Sequence, residues 1–385
     1  MNIAVIGASC TPYGEWWDKS LRDLLAQAQL TALDDAGLMP KDIQEIFVAN
    51  MCAGQLSTQV NLGAMAADIL GIHVPSTRIE GACASGALAV RAGIAAIESG
   101  RAEVVMVSGV EKMTDVDHTR VTESLMSATD YETEGFVGAT FPALFALVTR
   151  AYMHTYNLTR EQLAWVSVKN HKHGALNPSA HFRKEISVQD VLKSSMVADP
   201  LTLLDCSPMS DGAASIILST PDFAKKINKH DVKIIASTQA CDTLALSHRE
   251  KITQFYATQY AGQQAYKQAG ITPRDVNLVE VHDAFSMAEI IALEDLGFFD
   301  RGTAGHEIAQ GKTNLNNTLT VNASGGLKAK GHPIGASGIG QIVELVQQLR
   351  TQCGARQVHN AKIGLAHSMG GLGATVAVHI LTNKE

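Results

Sequence analysis

The sequence predicts an α/β protein built from two pseudo-symmetric halves, and two features carry that expectation. Short apolar runs, Ile3 to Ile6, Ile46 to Val48 and Val104 to Val107, alternate with helix-length amphipathic stretches such as Ser20 to Ala36. That is the pattern of buried strands joined by covering helices. The second feature is internal similarity at a constant spacing. The segment ALDDAGLMPKDIQEIFVAN recurs as AYKQAGITPRDVNLVEVHD, with Ala36, Gly37, Pro40 and Asp42 matched by Ala269, Gly270, Pro273 and Asp275, each 233 positions later. Each copy has the residue order of a helix stopped by glycine, a proline turn and a buried strand, so duplication of one ancestral unit is expected.

Taken in order, the chain opens on an apolar strand and reaches RIEGACASGALAVRAGIAAIESG, where an apolar approach leads into a long helix of small residues. From about Asp115 to Cys206 it turns more polar and less periodic, yet keeps enough aromatic and apolar residues for an ordered insertion. SDGAASIILST then returns as a glycine turn and an edge or central strand. The expected organisation is a first half over residues 1–114 and 207–230, an inserted loop domain over 115–206, and a second half over 231–385.

Composition excludes several function classes. The formal net charge of -7 comes from 31 basic and 38 acidic residues without a basic stripe, so neither nucleic acid nor a membrane surface is an expected partner. Six cysteines, at positions 10, 52, 83, 206, 241 and 353, show no metal or disulfide spacing, which favours free thiols in a reducing compartment. MNIAVIGAS lacks the phases of a signal peptide, no apolar run reaches the ~20 residues of a membrane span, and TNKE is not a peroxisomal address. A cytoplasmic location is expected.

Four segments hold residue types suited to chemistry. Cys83 stands at a helix start, where unpaired N–H groups and the helix dipole favour thiolate, although a buried cysteine can equally serve as a small hydrophobe. His332, ringed by glycines and followed by Pro333, has little packing rationale. His282 and Asp283 end the strand of the second repeat, where open α/β sheets assemble ligand sites. In KIGLAHSMGGLGATVAVHI, His367 and GGLG interrupt two apolar strands, and backbone N–H groups of such a turn can line an oxyanion hole. No metal site is expected, because His171 to His173 lack further ligands at metal spacing. The first strand lacks the GxGxxG of a dinucleotide site.

GACASG, HDAF, GHPIGASG and AHSMGG, in this order over the whole length, resemble the thiolase superfamily. HDAF takes the place of the NEAF of two-cysteine thiolases, and His367 stands where those enzymes carry the second cysteine, a pattern similar to the archaeal and sterol-carrier-protein-type branch. The resemblance implies a five-layered αβαβα fold and coenzyme A thioesters as substrates, with no permanently bound cofactor. It makes Cys83 the acyl acceptor and His332 its activator, gives an oxyanion hole to the N–H groups of Cys83 and Met369, and lines the pantetheine channel with Ser207, Ala284 and Phe285. Proton transfer at carbon falls to His282 or His367, since histidine titrates near neutral pH. Lys169, Lys172, Arg183 and Lys184 are candidates for the coenzyme A phosphates. The resemblance also implies a homodimer or homotetramer, and partners such as an OB-fold scaffold protein or an HMG-CoA synthase-like enzyme. A β-ketoacyl synthase, with one cysteine and two histidines, is the rival condensing enzyme, and a thiolase-fold subunit active only within a complex is the other alternative.

Overall fold

The computed structural model describes residues 1–229 and 231–384; the expected boundary at His230 and the terminal Glu385 lie outside the described residues. Its strands are β1 (Ile3–Cys10), β2 (Glu45–Ala49), β3 (Ser76–Ile79), β4 (Val104–Glu111), β5 (Met196–Ala198), β6 (Leu201–Thr202), β7 (Gly212–Ser219), β8 (Lys233–Cys241), β9 (Leu278–Glu280), β10 (Thr320–Val321), β11 (Ile363–Gly370) and β12 (Thr375–Thr382). The helices that bear on the site are α1 (Leu21–Ala36), α2 (Ser85–Glu98), α3 (His118–Met126), α4 (Phe141–Tyr156), α5 (Arg160–Gly174), α6 (Tyr256–Ala269), α7 (Ser286–Asp295), α8 (Gly326–Lys330) and α9 (Ile334–Leu349).

The duplication is visible in the sheet. Strands run β3-β2-β4-β7-β1 in the first half and β10-β9-β11-β12-β8 in the second, the same order with equivalent members. Pairing directions match too: β2 is parallel to β3 and β4 as β9 is to β10 and β11, and the remaining neighbours are antiparallel. The two sets meet edge to edge through Ile3 opposite Ile234 and Ala4 opposite Lys233. The strand in SDGAASIILST is central, as β7 between β1 and β4.

The repeated sequence makes the same local structure twice. Helix α1 stops at Gly37 with φ 70° and α6 stops at Gly270 with φ 68°, a left-handed cap that glycine adopts without steric cost. A turn starting at the shared proline follows each. Asp42 accepts the Met39 N–H at 2.8 Å, and Asp275 accepts the Thr272 N–H at 2.8 Å.

Helices α1 and α6 cover the outer faces of their own half-sheets, while α2 and α9 touch strands of both halves and form the middle layer. This gives the five layers, αβαβα. The middle helices meet backbone to backbone. A Cβ on Gly86 would lie 2.9 Å from the Ile339 nitrogen, one on Gly338 would lie 2.7 Å from the Ala87 nitrogen, and one on Gly109 of β4 would lie 2.1 Å from the Gly335 oxygen. Only glycine permits such approach, and the approach brings the start of α2 and the start of α9 to one place.

Among the described residues, 115–206 contribute no strand to the main sheet; they form α3, α4 and α5, the short helical segments Tyr131–Gly135, Val188–Lys193 and Leu203–Asp205, and the small β5–β6 ribbon. Helix α5 and the turn after it tie this region to the second half through buried polar contacts. Lys169 pairs with Glu289 at 2.8 Å, the His173 Nδ1 lies 3.0 Å from the Asn322 oxygen with its Nε2 accepting the Leu315 N–H at 3.2 Å, and Asn177 donates to the Ser324 oxygen at 2.8 Å. Lys169 is therefore a buried structural cation and does not face coenzyme A phosphates, because an unpaired charge at that depth would be costly. Among the described residues no helix is long and apolar enough to cross a membrane.

Candidate active site

Cys83 lies in the turn Ala82–Ala84 between β3 and α2. Ala82 before it has φ 52°, a left-handed conformation that costs a non-glycine residue about 1–3 kcal/mol and marks functional sites. Hydrogen bonds hold the turn: the Ser85 hydroxyl donates to the Ala82 oxygen at 2.6 Å and accepts the Gly81 N–H at 2.9 Å, and Glu80 accepts the Ala82 N–H at 2.6 Å. Nothing in the residue types announced this strain.

His332 stands between α8 and α9. Its Nδ1 lies 2.7 Å from the Ser337 hydroxyl, whose own hydrogen goes to the Pro333 oxygen at 2.8 Å. The ring hydrogen must then sit on Nδ1, which leaves Nε2 bare. That Nε2 is buried and has no hydrogen-bond partner among the described residues, and the Nδ1 of His282 is in the same condition. The two rings meet edge to face, centroids 5.1 Å apart at 83°. The Cys83 sulfur and one nitrogen of each histidine lie within 4.8 Å of one another.

His367 does not join them. It sits inside β11, fully buried, and does not interrupt the strand. Its Nδ1 accepts the backbone N–H of His282 at 3.4 Å and its Nε2 lies 3.1 Å from the Thr258 hydroxyl. Among the described residues it lines no part of the cavity at Cys83. Met369 is also buried in β11, paired with Val376. Gly371, two residues after Met369, lines the cavity, and its backbone N–H and that of Cys83 act against burial to lower the thiol's pKa.

Burial decides the protonation states. It pushes the Cys83 thiol up to about 12, with the Gly371 N–H partly offsetting it and the Glu111 carboxylate adding to it. It holds His332 down to about 4 and His367 down to about 3, and it takes His282 well below the ordinary histidine range, helped by the two neighbouring histidines. The resting pair is thiol and neutral imidazole, so loss of solvation outweighs the helix-start effect expected to favour thiolate.

Two buried carboxylates brace the arrangement: Asp283, which the sequence places beside His282 at a strand end, and Glu111, which it did not single out. Glu111, at the end of β4, accepts from Asn50 Nδ2 at 2.7 Å, Met51 N at 2.9 Å, Cys52 N at 3.0 Å and Gly335 N at 3.0 Å, joining both halves beneath Cys83. Burial raises it to about 7 against these donors. Its one sequence signal is a charge closing an apolar strand. Asp283 accepts from Leu327 N at 2.6 Å, Asn170 Nδ2 at 2.7 Å and Lys328 N at 3.3 Å, so it caps α8 while adjoining His282. A Cβ on Gly326, φ 61°, would lie 2.4 Å from its oxygen.

The cavity above the cysteine measures about 410 Å³ and is walled mainly by apolar side chains, with Ser207, Ala284 and Phe285 among them. Ser207 N donates to the Ala284 oxygen at 2.8 Å, and Phe285 stacks on Phe145 of α4 with centroids 4.4 Å apart. His181 and Phe182 also line it, and the adjoining Arg183 and Lys184 are exposed, as is Lys172. His171, by contrast, is buried against Phe182. The six cysteines are free thiols.

With this geometry in place, known proteins supply a comparison. The thiolase N-terminal domain family matches residues 3–222 and the thiolase C-terminal domain-like family matches residues 238–383. An acetyl-CoA acetyltransferase of Methanothermobacter thermautotrophicus is 48% identical over 382 residues, covering 99% of each chain. Sterol carrier protein 2 of Gallus gallus is 32% identical over 395 residues, covering 98% of this chain and 71% of that one. Among solved structures, an Ltp2-ChsH2(DUF35) aldolase aligns with a TM-score of 0.86 and 25% identity over 100% of this chain and 98% of its own. The matched families follow one another along the chain as the two half-sheets do, and the chain belongs to the thiolase family.

Proposed function

We propose that this chain is an acetyl-CoA C-acetyltransferase or 3-ketoacyl-CoA thiolase, making or cleaving a carbon-carbon bond between coenzyme A thioesters through an acyl group on Cys83. The observation that carries this is the convergence of Cys83, His282 and His332 within 4.8 Å at the floor of one cavity. The Cys83 sulfur attacks the thioester carbonyl, His332 Nε2 takes the thiol proton as the bond forms, and the N–H groups of Cys83 and Gly371 stabilise the oxyanion. The proton then passes from His332 to the departing coenzyme A thiolate. In the second step His282 takes an α-proton from the incoming thioester, the carbanion attacks the acyl carbon, and the released Cys83 thiolate regains a proton from the histidine pair. A thiol near 12 does not impede this, since transfer to His332 accompanies attack. Ser207, Ala284 and Phe285 border the pantetheine arm, and Lys172, Arg183 and Lys184 meet the phosphates; no permanently bound cofactor is required.

The 48% identity to an acetyl-CoA acetyltransferase supports acetyl transfer. The free thiols favour the cytoplasm. A homodimer or homotetramer is the proposed assembly. The DUF35 protein of the similar aldolase supports a scaffold partner, of the OB-fold kind expected above, alongside an HMG-CoA synthase-like enzyme. The test is a panel of acyl-CoAs read by the mass of the Cys83 peptide, followed by addition of a second acetyl-CoA. An acyl adduct and condensation from acetyl-CoA alone is the expected result. Condensation only from malonyl-CoA would give the β-ketoacyl synthase alternative, and activity only after a partner protein is added would give the complex-bound one.

A further inference from the structure

We propose that Cys83, His282 and His332 also form a site for a thiophilic divalent cation, with zinc as its representative, which binds the unacylated enzyme and competes with acyl transfer. Binding itself does not depend on the acyl-transfer proposal; the competition does.

The donor set and its spacing carry the inference. One sulfur and two imidazole nitrogens lie within 4.8 Å of one another. In a tetrahedral zinc site with bonds of about 2.0–2.3 Å, neighbouring donors are roughly 3.3–3.8 Å apart, so contraction on the order of an ångström closes the site. A second observation points to a ligand independently. His332 Nε2 is buried, and it has no partner among the described residues. A bare nitrogen held in a buried pocket is what a cation needs.

The surroundings resemble the outer contacts of a metal ligand. The Nδ1 hydrogen of His332 is held by Ser337 Oγ at 2.7 Å, which orients Nε2. The backbone of His282 is anchored by His367. Sulfur with imidazole selects zinc and softer ions over magnesium and calcium, which want oxygen. The balance is simple: the cation replaces the thiol hydrogen, a metal-sulfur bond forms, and one proton leaves per ion. Nothing is oxidised or reduced. Three protein donors leave a fourth position toward the cavity, open to water or to the thiol of free coenzyme A. A thioester sulfur is a poor donor, so acylation of Cys83 removes the site and cation binding blocks the nucleophile.

The experiment titrates the purified full-length protein with zinc chloride against a chromophoric chelator, with magnesium chloride as control, and measures zinc-edge X-ray absorption. The expected result is one zinc per chain with one sulfur and two imidazole nitrogens bound, affinity rising with pH, and no magnesium binding. Ser337→Ala should weaken zinc binding by about 10–100-fold, the scale for losing an outer contact of a ligand. Cys83→Ser, which keeps the size of the side chain, should lose the site while matching the parent's far-UV circular dichroism. Prior acetylation should also abolish binding. If acetyl-CoA leaves no adduct, the acyl-transfer proposal fails while the serine variants still decide the cation site. Absorption spectra without sulfur, or zinc affinity unchanged in Cys83→Ser and Ser337→Ala, would overturn the proposal.

Discussion

His282 donates its backbone N–H to Nδ1 of His367 at 3.4 Å, and this one contact ranks the two histidines. An Nδ1 that accepts must be unprotonated, so the His367 hydrogen lies on Nε2 and goes to the Thr258 hydroxyl. Both of its nitrogens are committed, whereas His282 keeps Nδ1 free. In the proposed mechanism His367 is therefore a positioning residue, and His282 takes the proton at carbon. His367→Ala should retain the acyl adduct and lose about tenfold in α-proton exchange. It should also lose about 1–3 kcal/mol of stability, because a buried N–H is left unpaired. Urea unfolding and deuterium uptake measure the two effects separately.

The reactivity of Cys83 should carry the mark of its burial. With the thiol pushed up to about 12, the thiolate fraction, and with it the iodoacetamide rate at Cys83, should rise about tenfold per pH unit between pH 6 and 9 without levelling. A plateau near neutrality would show a stabilised thiolate. Peptide mapping distinguishes Cys83 from the exposed Cys241.

Glu111→Gln should destabilise the protein by about 1–3 kcal/mol, because the new amide would present hydrogens to a set of four N–H donors. The pH dependence has a definite sign. Burial raises Glu111 from 4.5 to about 7, so the folded state holds a proton that the unfolded chain has released. Its contribution to stability is full below about 4.5 and is lost as pH rises through about 7. The variant should lack that decline in denaturant titrations across the same window.

Asp283→Asn tests the coupling of the two cavity histidines. Asp283 adjoins His282 and caps α8, which leads into His332. The variant should slow acylation and α-proton exchange together, each by about tenfold, with KM little changed. His282→Asn should slow exchange alone. Single-turnover measurements of both half-reactions separate these patterns.

Much of this arrangement was legible in the sequence, for local reasons. Gly37 with Pro40, and Gly270 with Pro273, mark cap and turn through their own backbone limits, so the repeat and its α/β character follow from short segments. Cys83, His282 and His332 stand out because glycines and strand ends surround them. What escaped depends on distance or depth. Asn170 meets Asp283 across 113 positions, and Gly335 meets Glu111 across 224, so no local pattern predicts either contact. Lys169 reads as a surface cation until α5 is seen buried against Glu289. That Gly371 and not Met369 lines the cavity arises from the path of the chain after β11, which residue spacing does not encode.

The central claim is that one cysteine carries the acyl group and one cavity histidine moves the proton at carbon. The direct measurement is made on His282→Asn incubated with acetyl-CoA in deuterated buffer, reading the acetyl adduct on Cys83 and deuterium uptake at the α-carbon in the same sample. The account predicts an adduct at close to the parent rate, with exchange reduced about 10²-fold or more, the scale for removing a positioned base. Exchange at the parent rate with the adduct intact would contradict it, as would loss of the adduct in a variant that remains folded.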